Sequence, residues 1–270
     1  MIKNNSVLVF CSKIMNKKLW EASPGQKKKS LLSSYEQFIS KKFKKRFNQK
    51  YDNILKWSIE NPGNFWSSIW DFSEIKGFKS KVKIKKSKIF YKNKFLPNSK
   101  LNFAENLLSK NNKNKAITFV SENGFREERS WYELNINVSK ISKFLKGIKI
   151  KKKDRVAAYM PNTIETIEAF IASSSLGAIW SSCSPDFGVK GLVERFSQIS
   201  PKVLFVADKY FYNGKIINIL ERVPLILKEI PSIEYVVIVN YPGEKYLENK
   251  YTSKKSKVLK WSELMKQESE

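Results

Sequence analysis

The chain has 270 residues, 41 % of them hydrophobic, with 18 Phe, 11 Tyr and 7 Trp; that is enough apolar material for one large packed domain or two smaller ones, and it excludes a disordered chain. It carries 51 Lys plus Arg against 25 Asp plus Glu and no histidine, which excludes Ser-His-Asp and Cys-His catalysis and His-ligated metals within this chain. The two cysteines, Cys11 and Cys183, stand alone, which argues against a zinc site or a disulfide framework and fits a reducing cytoplasm.

No apolar run approaches the roughly 18–20 residues that cross a bilayer. The first residues, MIKNNSVLVFCSKIMNKK, have the charged start of a signal peptide, but the apolar core Val7–Cys11 is too short and no small-residue cleavage site follows. Residues 1–18 are read as a leader, with Met15 an alternative start.

From Leu31 to Phe43, apolar residues at Leu31, Leu32, Tyr35, Phe38, Ile39 and Phe43 keep helical spacing, followed by a basic cluster at 41–46. Asn61-Pro62-Gly63 breaks the next helix, and Asn64 is expected to cap another that carries Phe65, Trp66, Ile69, Trp70 and Phe72. Between Phe78 and Phe95, lysines alternate with Val82, Ile84, Ile89 and Tyr91, the pattern of exposed strands; it reads as an edge hairpin guarded by lysine, or as a basic ribbon for nucleic acid. A boundary is expected near Leu96–Lys100, around Pro97.

Beyond it the pattern alternates. Ala116–Ser121 and Phe125–Ser130 form a hairpin about Glu122-Asn123-Gly124. Ser130 and Glu133 make a capping box for a helix whose face is Leu134, Val138, Ile141 and Leu145, stopped by Gly147. Strands are expected at Arg155–Met160, Ala178–Cys183, Val203–Ala207 and Tyr235–Val239. Helices fall between them: one capped by Asn162 and Glu165, with inner residues Ile164, Ile167 and Ile171; one at Gly188–Ile199; and one from near Ile216 past Arg222, broken at Pro224. Strands alternating with helices predict an α/β fold with a mainly parallel sheet.

Ligands of such sheets gather at the carboxyl ends of the strands, which singles out two loops. Ser181–Gly188 is rich in hydroxyls and leads into a helix N-terminus suited to an anion; the alternative is a plain connector capped by Asp186. Asp208–Lys215 sets aromatics beside Lys215, a point charge for phosphate, and Gly214 permits close backbone approach; the alternative is a surface turn. Cys183 has no base at hand and reads better as a buried small residue than as a nucleophile.

The wording of these stretches resembles the acetoacetyl-CoA synthetases of the adenylate-forming acyl-CoA synthetase superfamily. The matching segments are LWEASP (19–24), FWSSIWDF (65–72), LNFAENLL (101–108), SWYEL (130–134), DRVAAYMPN (154–162), SLGAIWSSCSPDFGVKGLVERF (175–196) and QISPKVLFVADKYFYNGK (198–215). SWYEL and DRVAAYMPN occur across the superfamily, whereas SSCSPDFG points to the acetoacetate branch. The resemblance implies a helical N-terminal extension at 19–99, then the first, mainly parallel-sheet part of an AMP-binding domain at 100–270. It implies acid–thiol ligation of acetoacetate to CoA with ATP and Mg²⁺, giving acetoacetyl-CoA, AMP and diphosphate, in the cytoplasm and without a membrane partner. It places Ser184, Pro185, Asp186 and Phe187 beside the CoA pantetheine tunnel, and Tyr212, Gly214 and Lys215 where the acetyl branch meets the CoA nucleotide through arginines; Lys215 keeps that charge and Tyr212 does not.

No Thr-Ser-Gly-Thr-Thr-Gly-like phosphate loop, P-loop or GxGxxG occurs in the chain. No catalytic residue and no metal ligand is therefore assigned. The expectation is an incomplete ligase, inactive alone and aggregation-prone, with its missing half in the same gene or in a separate polypeptide. The alternative from another class is a nucleic-acid-binding protein using the basic runs at 41–50 and 76–94.

Overall fold

The computed structural model describes residues 19–245, 247, 253 and 255–268; the leader read at 1–18 lies outside them. The chain divides into two compact units, Met1–Lys100 and Leu101–Glu270.

The first unit is built from helices α1 (Pro24–Lys28), α2 (Leu31–Phe43), α3 (Tyr51–Glu60) and α4 (Pro62–Phe72). Its core is aromatic. Tyr35, Ile39, Phe47, Ile54 and Trp57 are buried, and the Tyr35 ring meets Phe72 at 5.2 Å edge-on. The Tyr35 hydroxyl shares a 2.7 Å hydrogen bond with the Ser68 hydroxyl, so the polar end of a buried ring is satisfied. Leu31 and Leu32 hold helical spacing yet lie on the outer side of the first turn of α2, exposed to solvent. Asn64 does not cap α4. Pro62, which needs no N–H partner, occupies its first turn, and Asn64 instead accepts from Lys83 Nζ at 2.7 Å. The basic stretch after Phe78 pairs over only two residues on each side: β1 (Ile84–Lys85) runs antiparallel to β2 (Lys94–Phe95). Too few apolar residues alternate on one face to extend the ladder.

In the second unit, α5 (Phe103–Leu107) precedes the hairpin of β3 (Lys115–Val120) and β4 (Arg126–Ser130). The Ser130–Glu133 capping box forms and starts α6 (Trp131–Gly147), with Leu134, Val138, Ile141 and Leu145 all buried. Gly147 stays inside the helix, and the left-handed residue that turns the chain away is Lys149, at φ 64°. There follow β5 (Arg155–Tyr159), α7 (Ile164–Ser175), β6 (Ile179–Cys183), α8 (Val189–Phe196), β7 (Val203–Ala207), a second hairpin of β8 (Lys209–Tyr212) and β9 (Lys215–Asn218), α9 (Val223–Glu229), β10 (Tyr235–Val239), β11 (Lys257–Lys260) and α10 (Trp261–Met265).

Five strands make one parallel sheet in the order β11-β10-β7-β5-β6. All five residues of β7 are buried, as a strand covered on both faces requires. Phe205 lies at its centre, its ring 6.2 Å from both Trp180 and Trp261.

Three further elements differ from the sequence expectation. Thr163, not Asn162, is the N-cap of α7 and makes no side-chain cap bond; Glu165 is buried and so is not a solvent-facing cap partner. Ile167 faces outward while Ile164 and Ile171 are buried, because a step of three from 164 rotates past the edge of the buried stripe. Residues 215–218 are a strand rather than a helix, and Pro224 begins α9 instead of ending one. The Asn213-Gly214 turn, with both residues at positive φ (49° and 72°), selects the hairpin.

Truncating Phe205 to alanine is expected to destabilise the second unit by about 3–5 kcal/mol; urea unfolding of the full chain followed by Trp fluorescence checks it. A loss below about 1 kcal/mol would show that the ring is not the keystone its burial indicates.

Candidate functional site

Because neighbouring strands are parallel, the segments that leave β5, β6 and β7 emerge at one edge of the sheet. They enclose a cleft of about 220 Å³, walled by Met160–Asn162 after β5, Ser182–Asp186 at the end of β6, and Tyr210–Tyr212 in β8. Ser184, Pro185, Asp186 and Tyr212, four of the residues singled out in sequence, thus meet in one place. Phe187 stands next to the wall with its ring part-exposed. Gly214 and Lys215 are exposed on the far side of the hairpin turn, where Lys215 pairs in register with Tyr212.

The loop after β6 is held by a clamp that sequence reasoning did not find. Tyr159, the last residue of β5, is fully buried. Its single hydroxyl proton is shared between the carbonyls of Phe187 (2.6 Å) and Pro185 (3.0 Å), and its oxygen accepts from Arg222 Nη1. The same Arg222 nitrogen donates to Pro185 O at 2.9 Å. Burial pushes the Tyr159 phenol above its ordinary value, and the Arg222 charge works against that. Within the loop, Ser184 Oγ donates to Asp186 Oδ2 at 2.8 Å. Asp186 therefore does not cap α8; Gly188 takes the N-cap position with no side-chain cap bond. The Phe187 ring is covered by the Arg195 guanidinium, 4.2 Å from its centroid, a cation–π contact that fixes the outer lip. Burial raises the Tyr210 phenol too, and the nearby Asp186 carboxylate adds to the effect.

Cys183 is buried at the cleft wall and burial raises its thiol, so the reading as a packed small residue fits better than a nucleophile. In the second loop, Asp208 and Lys209 are structural. Asp208 is fully buried and accepts from the N–H groups of Tyr241 (2.8 Å) and Leu247 (3.0 Å), with Lys209 Nζ at 3.7 Å. The Gly214 N–H donates to Glu122 at 3.3 Å.

A second polar cluster lies under the β3–β4 hairpin. Arg129 reaches Glu168 at 3.1 Å and Glu127 at 2.9 Å, and Asn137 Nδ2 donates to Glu168 at 2.8 Å. One oxygen each of Glu165 and Glu168 is buried without a partner. Burial outweighs the attraction of Arg129 and pushes Glu168 up to about 7; Glu165 is raised for the same reason. Among the described residues no group of three His, Cys, Asp or Glu side chains is placed to hold a metal ion, and no helix is long and apolar enough to cross a membrane.

Residues 106–268 match the family described as AMP-binding enzyme. The chain belongs to the AMP-binding enzymes. Within that family it is 36 % identical over 226 residues to the acetoacetyl-coenzyme A synthetase of Rhizobium meliloti, a match covering 84 % of this chain and 34 % of the relative. The acetoacetyl-CoA synthetase of Rattus norvegicus is 37 % identical over 202 residues, covering 72 % and 30 %; the malonamoyl-CoA synthetase vrtB of Penicillium aethiopicum is 32 % identical over 229 residues, covering 82 % and 31 %. The chain thus spans about a third of the length of these curated relatives. Its fold matches the solved acetoacetyl-CoA synthetase from Streptomyces lividans with a TM-score of 0.83 at 22 % identity, over 94 % of this chain and 38 % of that one. The resemblance read in the sequence is borne out, as is the order of a helical segment followed by the parallel-sheet start of an AMP-binding domain.

Two outcomes are expected. Arg222→Met should speed amide exchange of residues 184–188 by about tenfold, since a charge-assisted bond to the loop is lost; unchanged exchange would show that the clamp does not hold the loop. For Glu168 the folded value lies above the ordinary 4.5, so its contribution is intact below about pH 4.5 and is lost as pH rises through about 7. Denaturant midpoints measured from pH 5 to 8 should fall with pH in the native chain and fall less steeply in Glu168→Gln, where the raised Glu165 remains; parallel slopes would contradict the assignment.

Proposed function

We propose that the chain is the front part of an acetoacetate–CoA ligase and that its cleft receives the pantetheine arm of CoA. One observation supports the reading above the others: the consecutive residues Ser184, Pro185 and Asp186 and the sequence-distant Tyr212 wall one cleft at the carboxyl edge of the sheet. A narrow channel with aromatic and hydroxyl walls suits a chain that alternates methylenes with amides.

Ser184 and the backbone of Pro185 and Asp186 line that channel, and Phe187, braced by Arg195, forms its lip. Lys215 supplies a point charge for CoA phosphates beyond the mouth. Tyr212 contributes its ring and no charge. Gly214 acts through its turn geometry, because its N–H is taken by Glu122.

The whole reaction joins acetoacetate and CoA at the expense of ATP, which leaves as AMP and diphosphate. The relatives' names include acetoacetyl- and malonamoyl-CoA synthetases; both acids carry a carbonyl β to the carboxylate, and this defines the acyl class. ATP with Mg²⁺ supplies the activation of that carboxylate when bound. The chain carries no Gly/Ser/Thr-rich phosphate loop, and the part of the reaction assigned to the described residues is reception of CoA. A second polypeptide carrying the phosphate loop is the other arrangement consistent with the match to a third of each relative; co-purification with such a chain distinguishes it.

Calorimetric titration of the chain with CoA and with pantetheine is expected to show binding of both, CoA more tightly, and Ser184→Trp should abolish both by filling the cleft. Diphosphate–ATP exchange with acetoacetate should be absent. Measurable exchange would refute the incompleteness. Binding of nucleic acid without binding of CoA would favour the basic nucleic-acid-binding reading.

A further inference from the structure

Between β1 and β2 in the first unit, residues 86–93 form the loop of a short hairpin whose last paired residues are Lys85 and Lys94. The loop is ordered by its own polar groups. Asn93 Oδ1 accepts from the Ser87 N–H at 2.8 Å, Asn93 Nδ2 donates to Phe90 O at 2.9 Å, and Ser87 Oγ accepts from the Ile89 N–H at 3.2 Å. A single turn of 3₁₀ helix, Phe90–Lys92, closes the tip. These bonds hold three apolar residues outward: Phe90 is 89 % exposed, Tyr91 80 % and Ile89 43 %. Around them stand Lys85, Lys86, Lys88, Lys92 and Lys94, all exposed, and none makes an ion pair among the described residues. The sequence has no acidic residue between Glu74 and Glu105.

Lysine is abundant everywhere in this chain, so charge alone distinguishes nothing. The combination at 86–93 does: an apolar point, tied by its own hydrogen bonds and flanked on both strands by exposed lysines. A protruding point needs no complementary pocket if its partner is a fluid apolar layer, and cations around its base fit anionic headgroups above that layer. Lysine suffices there because a surface potential is smeared, whereas reading phosphates singly on nucleic acid favours the planar fork of arginine; Ile89, moreover, has no face for a base to stack on. The bonds of Asn93 fix the loop in advance, so little ordering is needed on contact. Adsorption of this kind needs no spanning helix.

We propose that the 86–93 hairpin tip is a contact site for an anionic lipid surface, with Ile89, Phe90 and Tyr91 entering the headgroup–acyl boundary and the lysine collar engaging the headgroups. The test is co-sedimentation of the full chain with phosphatidylcholine vesicles, with and without about one-third phosphatidylserine, at low and high salt, beside the variants Phe90→Ser/Tyr91→Ser and Lys86→Gln/Lys88→Gln/Lys92→Gln. All the substituted side chains are exposed, and circular dichroism checks that each variant keeps the fold. The expected result is binding to the anionic vesicles only, weakened roughly tenfold or more by either set of substitutions and, for the lysines, by salt. Equal binding to neutral vesicles, no binding at low salt, or binding that the aromatic variant leaves unchanged would overturn it. So would polyuridylate binding lost on Phe90→Ser/Tyr91→Ser without any vesicle binding, which would assign the tip to nucleic acid. Vesicle-independent self-association abolished by the same variant would assign it to a second copy and overturn the proposal equally.

Discussion

Strand β7 has no solvent-facing side. Val203–Ala207 is buried from end to end, with β5 and β10 hydrogen-bonded along its two edges in parallel. A strand in this position must be apolar on both faces, and its neighbours must leave the sheet at the same edge that it does. The connections after β5, β6 and β7 are thereby brought together before any of their own side chains is considered. The cleft is a consequence of parallel pairing, and its chemical character is then set by what those connections contain.

What they contain is hydroxyls, aromatics and a clamp. Tyr159 ends β5 with its ring in the core and its hydroxyl at the sheet edge, where it meets two carbonyls of the next loop and the guanidinium of Arg222. The loop is thus tied to the sheet through side chains rather than left as a surface connector. Asp208 performs a comparable task on the other side, holding the chain after β10 through the N–H groups of Tyr241 and Leu247. Both are buried polar groups with their partners supplied, which limits the freedom of the cleft walls. The Glu165–Glu168 cluster is different: it retains orphan oxygens, and burial raises both of its carboxyls.

Much of this fold was legible in the sequence, because its signals were local. Val203–Ala207 and Tyr235–Val239 are continuous apolar runs and appear as strands with the expected bounds. Ser130 and Glu133 sit at capping-box spacing and form that box. The misreadings came where two local signals competed. Ile216, Ile217, Ile219 and Leu220 have near-helical spacing, yet Asn213-Gly214 forces a hairpin first and Pro224 then opens the helix. Phe78–Phe95 alternates like strands, but the pairing is confined to the two-residue ladder of Ile84–Lys85 with Lys94–Phe95 and a single bridge from Phe78 to Lys100, since lysine on both faces leaves no apolar side to bury. The candidate cleft was half legible. Ser184–Asp186 and Tyr212 could be found from their place at strand ends, whereas Arg222, 63 residues from Tyr159, carried no signal beyond being one of six arginines. Glu168 was equally silent, since a glutamate on a helix normally faces water.

The central claim is that the cleft at the carboxyl edge of β5, β6 and β7 accepts the pantetheine arm of CoA. Hydrogen–deuterium exchange of the chain with and without saturating CoA tests it most directly. The account predicts protection confined to residues 160–162, 182–187 and 210–212, with the first unit unchanged. Protection elsewhere, or none at these three segments while CoA is bound, would contradict it.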